Sequence, residues 1–244
     1  MTVPTAFPSN LSWDALPALF PELPNAARWL PLLQQHAEIV EKNAERVRVT
    51  SVAGDDAVRR QYAESLEIAS LVCILDDSEG PVVDVGSGGG FPGMILAATF
   101  EQRPVHLIEP LKKRAALLET MASQLELSNV TVHPDRAEDA GRGPLRERAS
   151  VVTARAVAEL RELLEYTAPL AAIGGHIVLP KGSRLDAELV DAARAMDELS
   201  CHVEARAPMR QEVSAAGTIL VLTKDGPTPP RYPRRAGMPG KRPI

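Results

Sequence analysis

Apolar positions change their period near residue 80. Between Ala26 and Val47 they recur at three and four: Trp29, Leu32, Leu33, His36, Ile39, Val40 and Val47. That spacing predicts an amphipathic helix, with Pro31 tolerated only near its start. Val58, Tyr62, Leu66, Ala69 and Leu71 predict a second helix over 55–75. Asp77-Ser78-Glu79-Gly80-Pro81 is a break. Beyond it, strand-like runs occur at Val82–Val85, Val105–Ile108, Val130–His133, Val151–Thr153, His176–Leu179, His202–Ala205 and Ile219–Leu222. Helical patterns lie between them at Gly93–Phe100, Lys112–Leu127, Glu159–Leu170 and Asp186–Leu199. Repeated β-α units predict an α/β fold, a seven-stranded, mostly parallel sheet with helices on both faces. Three segments follow: a helical extension over 1–78, the α/β domain over 79–225, and a Pro- and Arg-rich tail without periodicity over 226–244.

The chain's 244 residues suffice for one α/β domain with an appendage. No apolar run approaches the ~20 residues that a membrane helix needs. Met1-Thr2-Val3-Pro4 lacks the charged-then-apolar order of a secretory signal. Cys73 and Cys201 are far apart and read as reduced thiols, so the expected location is cytoplasmic. None of the five histidines pairs with another ligand type at metal-binding spacing, so no metal is expected. No Ser-His-Asp arrangement is evident, and no uncapped apolar stripe argues against a monomer.

Net charge is −5, but its placement matters more than its sum. After Asp225 the tail carries Arg231, Arg234, Arg235, Lys241 and Arg242 with no acidic residue. Arg59-Arg60 and Lys112-Lys113-Arg114 are further basic clusters. Each reads either as a solvated face or as a contact for an RNA backbone.

The densest chemistry lies in Val82-Val83-Asp84-Val85-Gly86-Ser87-Gly88-Gly89-Gly90-Phe91-Pro92-Gly93. It predicts a buried strand, a glycine-rich turn and a helix start that favours a polar or anionic group. Gly88 to Gly93 satisfies the dinucleotide fingerprint, a weak signal alone. The acidic residue before Gly86 instead resembles methyltransferases that use S-adenosylmethionine (AdoMet). In a parallel sheet, ligands bind beyond the carboxyl ends of the strands. Asp84, Gly86 and Gly88 occupy the first such end. Glu109 closes the second, roughly 20 residues on, where a carboxylate accepts ribose hydroxyls. The third leads into Pro134-Asp135-Arg136-Ala137-Glu138, a turn able to hold adenine. The fourth runs into Arg155, and the fifth into Lys181.

Together these residues resemble the bacterial small-subunit ribosomal RNA methyltransferase G family, also called glucose-inhibited division protein B. The resemblance runs from about Ala57 to Ile244. It rests on Asp84–Gly93, Leu107-Ile-Glu-Pro-Leu-Lys-Lys-Arg114, Arg136-Ala-Glu138, Arg155-Ala156, Lys181-Gly182 and Tyr232-Pro-Arg-Arg-Ala-Gly-Met-Pro-Gly-Lys-Arg-Pro-Ile244. It implies a Rossmann-like fold, AdoMet as cofactor, and methylation of guanine N7 in 16S rRNA or the small ribosomal subunit. It further implies that Gly86, Phe91, Ala137, Glu138 and Arg155 lie at the cofactor. The departures are concentrated in the N-terminal part; one further departure is Ala154-Arg155-Ala156, where the family has Ser-Arg-Ala. Arg48-Val49-Thr50 stands where the family has Asn-Leu-Thr, and Arg60-Gln61-Tyr62-Ala63-Glu64-Ser65-Leu66 where it has Arg-His-x-x-Asp-Ser-Leu.

Guanine N7 carries a lone pair and no proton, so no general base is required. The catalytic candidates are therefore positioning and charge-bearing groups. Lys181 is assigned to O6 or a phosphate, Arg155 to orientation, and Glu64 or Asp84 to charge developing on the ring. The RNA-backbone candidates are Arg59, Arg60, Arg234, Arg235, Lys241 and Arg242. Another RNA base, a small-molecule substrate and a non-catalytic RNA- or ribosome-binding role remain alternatives.

Overall fold

A computed structural model describes residues 11–47, 56–75 and 80–244. Arg48-Val49-Thr50 and most of the predicted 77–81 break lie outside the described residues.

Seven strands form one sheet in the order β3-β2-β1-β4-β5-β7-β6. They are β1 Val82–Val85, β2 Val105–Ile108, β3 Val130–His133, β4 Ala149–Ala154, β5 Ala171–Lys181, β6 Cys201–Pro208 and β7 Thr218–Lys224. β1 pairs in parallel with β2 and β4, β2 with β3, and β4 with β5. β7 runs antiparallel to both β5 and β6. Val82-Val83-Asp84-Val85 is buried throughout, as a central parallel strand covered on both faces must be.

Strand alternation divides the core in two. Val82, Leu107 and Val151 face a cluster containing Trp29, Leu33, Leu66, Ile68, Ile95 and Leu118. These come from helices α2 Ala26–Val47, α3 Glu64–Leu75, α4 Gly93–Thr99 and α5 Lys112–Gln124. The short α1, Leu16–Leu19, adds Leu16 to the same cluster. The N-terminal helices therefore cover a face of the sheet. Val83, Val85, Ile108 and Val152 face the other cluster, with Leu160, Leu164, Leu189 and Tyr232. It is built on α6 Ala137–Ala140, α7 Leu160–Thr167, α8 Leu185–Asp191 and α9 Ala193–Glu198. No helix among the described residues is long and apolar enough to cross a membrane.

Three local expectations change. The second predicted helix begins as a π-helical turn, Val58–Ala63, before α3. The helix predicted over Asp186–Leu199 breaks at Ala192. The C-terminal segment, expected to be an irregular appendage, is folded onto the second face. Arg146 donates to the carbonyls of Thr228 and Tyr232, Tyr232 and Ile244 join the core, and α10 Met238–Lys241 packs on α7.

Candidate cofactor and substrate site

The loop after β1 has this sequence because larger residues do not fit. Gly86 has φ +74°, and a Cβ there would lie 2.7 Å from Val157 Cγ2. Gly90 has φ +94°, and its Cβ would meet Met94 Cγ at 2.5 Å and His36 Nε2 at 2.9 Å. Helix α4 presses equally closely on the sheet: a Cβ on Gly93 would sit 2.2 Å from Leu107 Cδ2.

Two carboxylates shape the loop. Asp84 is fully buried, and its Oδ2 accepts a 3.0 Å bond from Gly93 N. Its Oδ1 has no hydrogen-bond partner among the described residues. Burial pushes its pKa up to about 6, against the pull of bonds from Ser87 and Gly93. Directly across the ladder on β4 is Thr153, whose buried Oγ1 also lacks a hydrogen-bond partner among the described residues. Glu109, at the end of β2, accepts from Gly88 N and from Leu111 N, each at 2.9 Å.

Over the loop lies a stack of rings and charges. Phe91 packs edge-on against Tyr62 at 5.1 Å and His36 at 5.0 Å between centroids. The Arg155 guanidinium sits 5.1 Å from the Phe91 centroid. Its Nη1 donates to Arg60 O at 2.9 Å and lies 3.6 Å from Glu64 Oε2. Burial raises the Glu64 pKa, while Arg155, Arg60 and Arg59 oppose the shift. The π-helical turn thus delivers both Tyr62 and the Arg60 carbonyl to this stack.

His36, read from the sequence only as one position of an apolar row, reaches the glycine loop. Its Nε2 lies 3.0 Å from Gly89 O, which can only accept, so Nε2 carries the hydrogen. Nδ1 then accepts from Tyr62 O–H at 3.0 Å. Burial lowers the imidazole pKa to about 4. The sole signal was a histidine within an apolar row.

The remaining candidates separate. Ala137 and Glu138 are both buried, and Glu138 Oε1 accepts from Gly237 N at 2.7 Å. The Glu138 side chain therefore holds the C-terminal segment, leaving the turn's backbone for a ligand. Lys181, at the end of β5, is engaged by a carboxylate. Its side chain is only 7% exposed and its Nζ lies 2.8 Å from Glu188 Oε2, which also accepts from Leu160 N. Arg234 grips fully buried Glu165 through Nε and Nη2 at 2.5–3.0 Å. Arg59 is bonded to Asp56 and to Val213 O. Arg60, Arg235, Lys241 and Arg242 are exposed. His106 and His133 lie 3.1 Å apart on β2 and β3, and no group of three metal-ligating residues occurs among the described residues.

These residues fit AdoMet. Gly86 and Gly88 are the part-exposed positions of the loop, and each Glu109 oxygen retains a lone pair for a ribose hydroxyl. Asp84 Oδ1 is a buried acceptor awaiting a donor or a positive charge.

The sheet order and this loop define a Rossmann-like methyltransferase fold. An AdoMet-dependent methyltransferase from Aquifex aeolicus superposes with a TM-score of 0.55 over 72% of this chain and 97% of that one, at 13% identity. TYW2 from M. jannaschii, solved with AdoMet, gives 0.52 over 67% and 74%, at 16% identity. The family model for rRNA small subunit methyltransferase G matches residues 30–213, and the chain belongs to that family. The Ribosomal RNA small subunit methyltransferase G of Roseiflexus castenholzii is 42% identical over 82% of this chain and 85% of its own length. That of Desulfitobacterium hafniense is 37% identical over 84% and 85%.

Proposed function

We propose that the protein transfers a methyl group from AdoMet to N7 of a guanine in 16S rRNA. It acts as a monomer on the small ribosomal subunit or its RNA, in the cytoplasm. The observation that carries this reading is the bond between Gly88 N of the glycine loop and Glu109 at the adjacent strand end, in a chain of this family.

When bound, AdoMet supplies an electrophilic methyl group on a sulfonium. Glu109 accepts the ribose hydroxyls, the Ala137–Glu138 backbone borders the adenine, and Asp84 offers negative charge near the loop. Arg155 and Glu64 hold the base beside Phe91. The base leaves its stack to reach them, and N7 attacks without a general base. Arg60, Arg235, Lys241 and Arg242 supply exposed positive charge for the RNA backbone. Lys181 is paired with Glu188, and Arg155, beside Phe91, is the cation assigned to O6.

The test is incubation with methyl-labelled AdoMet and either 16S rRNA or isolated small subunits, followed by mapping of the modified base. Label on guanine N7 supports the reading. Label on another base would move the altered Gln61–Glu64 segment to the centre of a different specificity. AdoMet binding without transfer would favour a non-catalytic RNA-binding role.

A further inference from the structure

The Glu64–Arg155 pair carries an inference that rests on guanine being the methylated base. Arg155 is fixed from two sides, by its bond to Arg60 O and by its stacking on Phe91. Glu64 is set beside it at 3.6 Å, its side chain 23% exposed. Burial opposes its charge, and Arg155, Arg60 and Arg59 favour it. A part-exposed carboxylate held beside a fixed guanidinium can accept from the donors of a base edge.

Every purine has an N7, so attack at that atom does not select guanine over adenine. Selection must come from another edge. A flipped base is read along its Watson–Crick edge. For guanine that edge presents one acceptor, O6, followed by two donors, N1–H and N2–H. Adenine presents its N6 donors followed by the N1 lone pair. A guanidinium beside a carboxylate complements the first order and opposes the second.

We infer that Arg155 and Glu64 together select guanine, Arg155 donating to O6 and Glu64 accepting from N1–H and N2–H, so that N7 stays unobstructed. Adenine would set its amine against the guanidinium and its N1 lone pair against the carboxylate, which is rejection by repulsion as well as by lost bonds.

Inosine separates these contacts, because it keeps O6, N1–H and N7 and lacks only the 2-amino group. The experiment uses 16S RNA ligated with guanine or inosine at the mapped nucleotide, and compares kcat/KM for the intact protein and Glu64→Gln. Wild type should prefer guanine roughly 10-fold or more, the worth of one bond to a charged group. Glu64→Gln should bring the ratio close to one while calorimetry still detects AdoMet binding. Equal wild-type rates on the two RNAs, or an unchanged ratio in the variant, would overturn the inference. Transfer to neither RNA would overturn the proposed function itself, and this inference with it.

Discussion

His36, on an N-terminal helix, donates to the Gly89 carbonyl at the centre of the glycine loop. The helical extension therefore does more than cover the sheet: it holds the loop at Gly89 O, while Asp84 and Glu109 hold it through Gly93 N and Gly88 N. His36→Phe keeps much of the ring but strands Gly89 O and Tyr62 O–H. It should cost about 1–3 kcal/mol of stability, read from urea unfolding, and weaken AdoMet binding. The pH dependence has a definite sign. With its folded pKa lowered to about 4, His36 favours the folded state fully above its ordinary value of 6.5. That contribution is lost as pH falls through about 4, because the unfolded chain binds the proton first. Asp84 works oppositely, its raised pKa favouring the folded state as pH drops below about 6. The measurement is therefore wild type minus His36→Phe across this range; a constant difference would refute the assignment.

Asp84 gives a separate prediction for ligand affinity. AdoMet carries positive charge on its sulfonium and ammonium groups, and only ionised Asp84 attracts it. Affinity measured by calorimetry should fall as pH drops through about 6, where Asp84 takes up a proton. Asp84→Asn should bind more weakly at pH 8 and lose most of this pH dependence. A variant that retained the wild-type profile would assign the titration to another group.

Lys181 and Glu188 should behave as a structural pair. Both side chains are largely buried, and Glu188 also accepts from the first residue of α7. Lys181→Met leaves that carboxylate without its cation and should lower stability. Adding Glu188→Gln should recover part of the loss, with a coupling of about 0.5–3 kcal/mol in a double-mutant cycle. If Lys181→Met instead left stability intact and reduced only methyl transfer, the lysine would act on substrate after all.

Elements with a strong period were the legible ones. Val82–Val85, Val105–Ile108 and Val130–His133 are short β-branched runs between breakers, and the structure has strands over those same residues. Their ends brought Asp84, Gly86 and Glu109 together, since parallel strands place ligand groups at one edge. Longer-range partners were not legible. Nothing near Lys181 in sequence announces Glu188 as its counter-ion, nor does Arg234 announce Glu165, 69 residues away. The C-terminal segment lacked periodicity because it is anchored by side chains reaching its backbone, at Thr228, Tyr232 and Gly237, instead of by an apolar stripe. The π-helical turn at Val58–Ala63 has no distinct residue pattern, yet it turns the Arg60 carbonyl toward Arg155.

The basic C-terminal residues divide by burial, and the division predicts two different phenotypes. Arg234 neutralises Glu165, which is 0% exposed, through paired bonds and its own backbone N–H. Arg234→Ala leaves a buried carboxylate uncompensated and should cost about 3–5 kcal/mol. Because Arg234 is already engaged, the salt dependence of RNA binding should not change in whatever protein remains folded. Arg235, Lys241 and Arg242 are exposed, so replacing all three with Gln should shift stability by no more than about 0.5 kcal/mol for each. The same triple variant should lower the salt slope of RNA binding by ~0.7 for every single-strand phosphate contact removed. Melting curves and filter binding at several salt concentrations separate the two effects. An unchanged slope in the triple variant would leave the segment with only the anchoring role that Tyr232, Arg234 and Gly237 already perform.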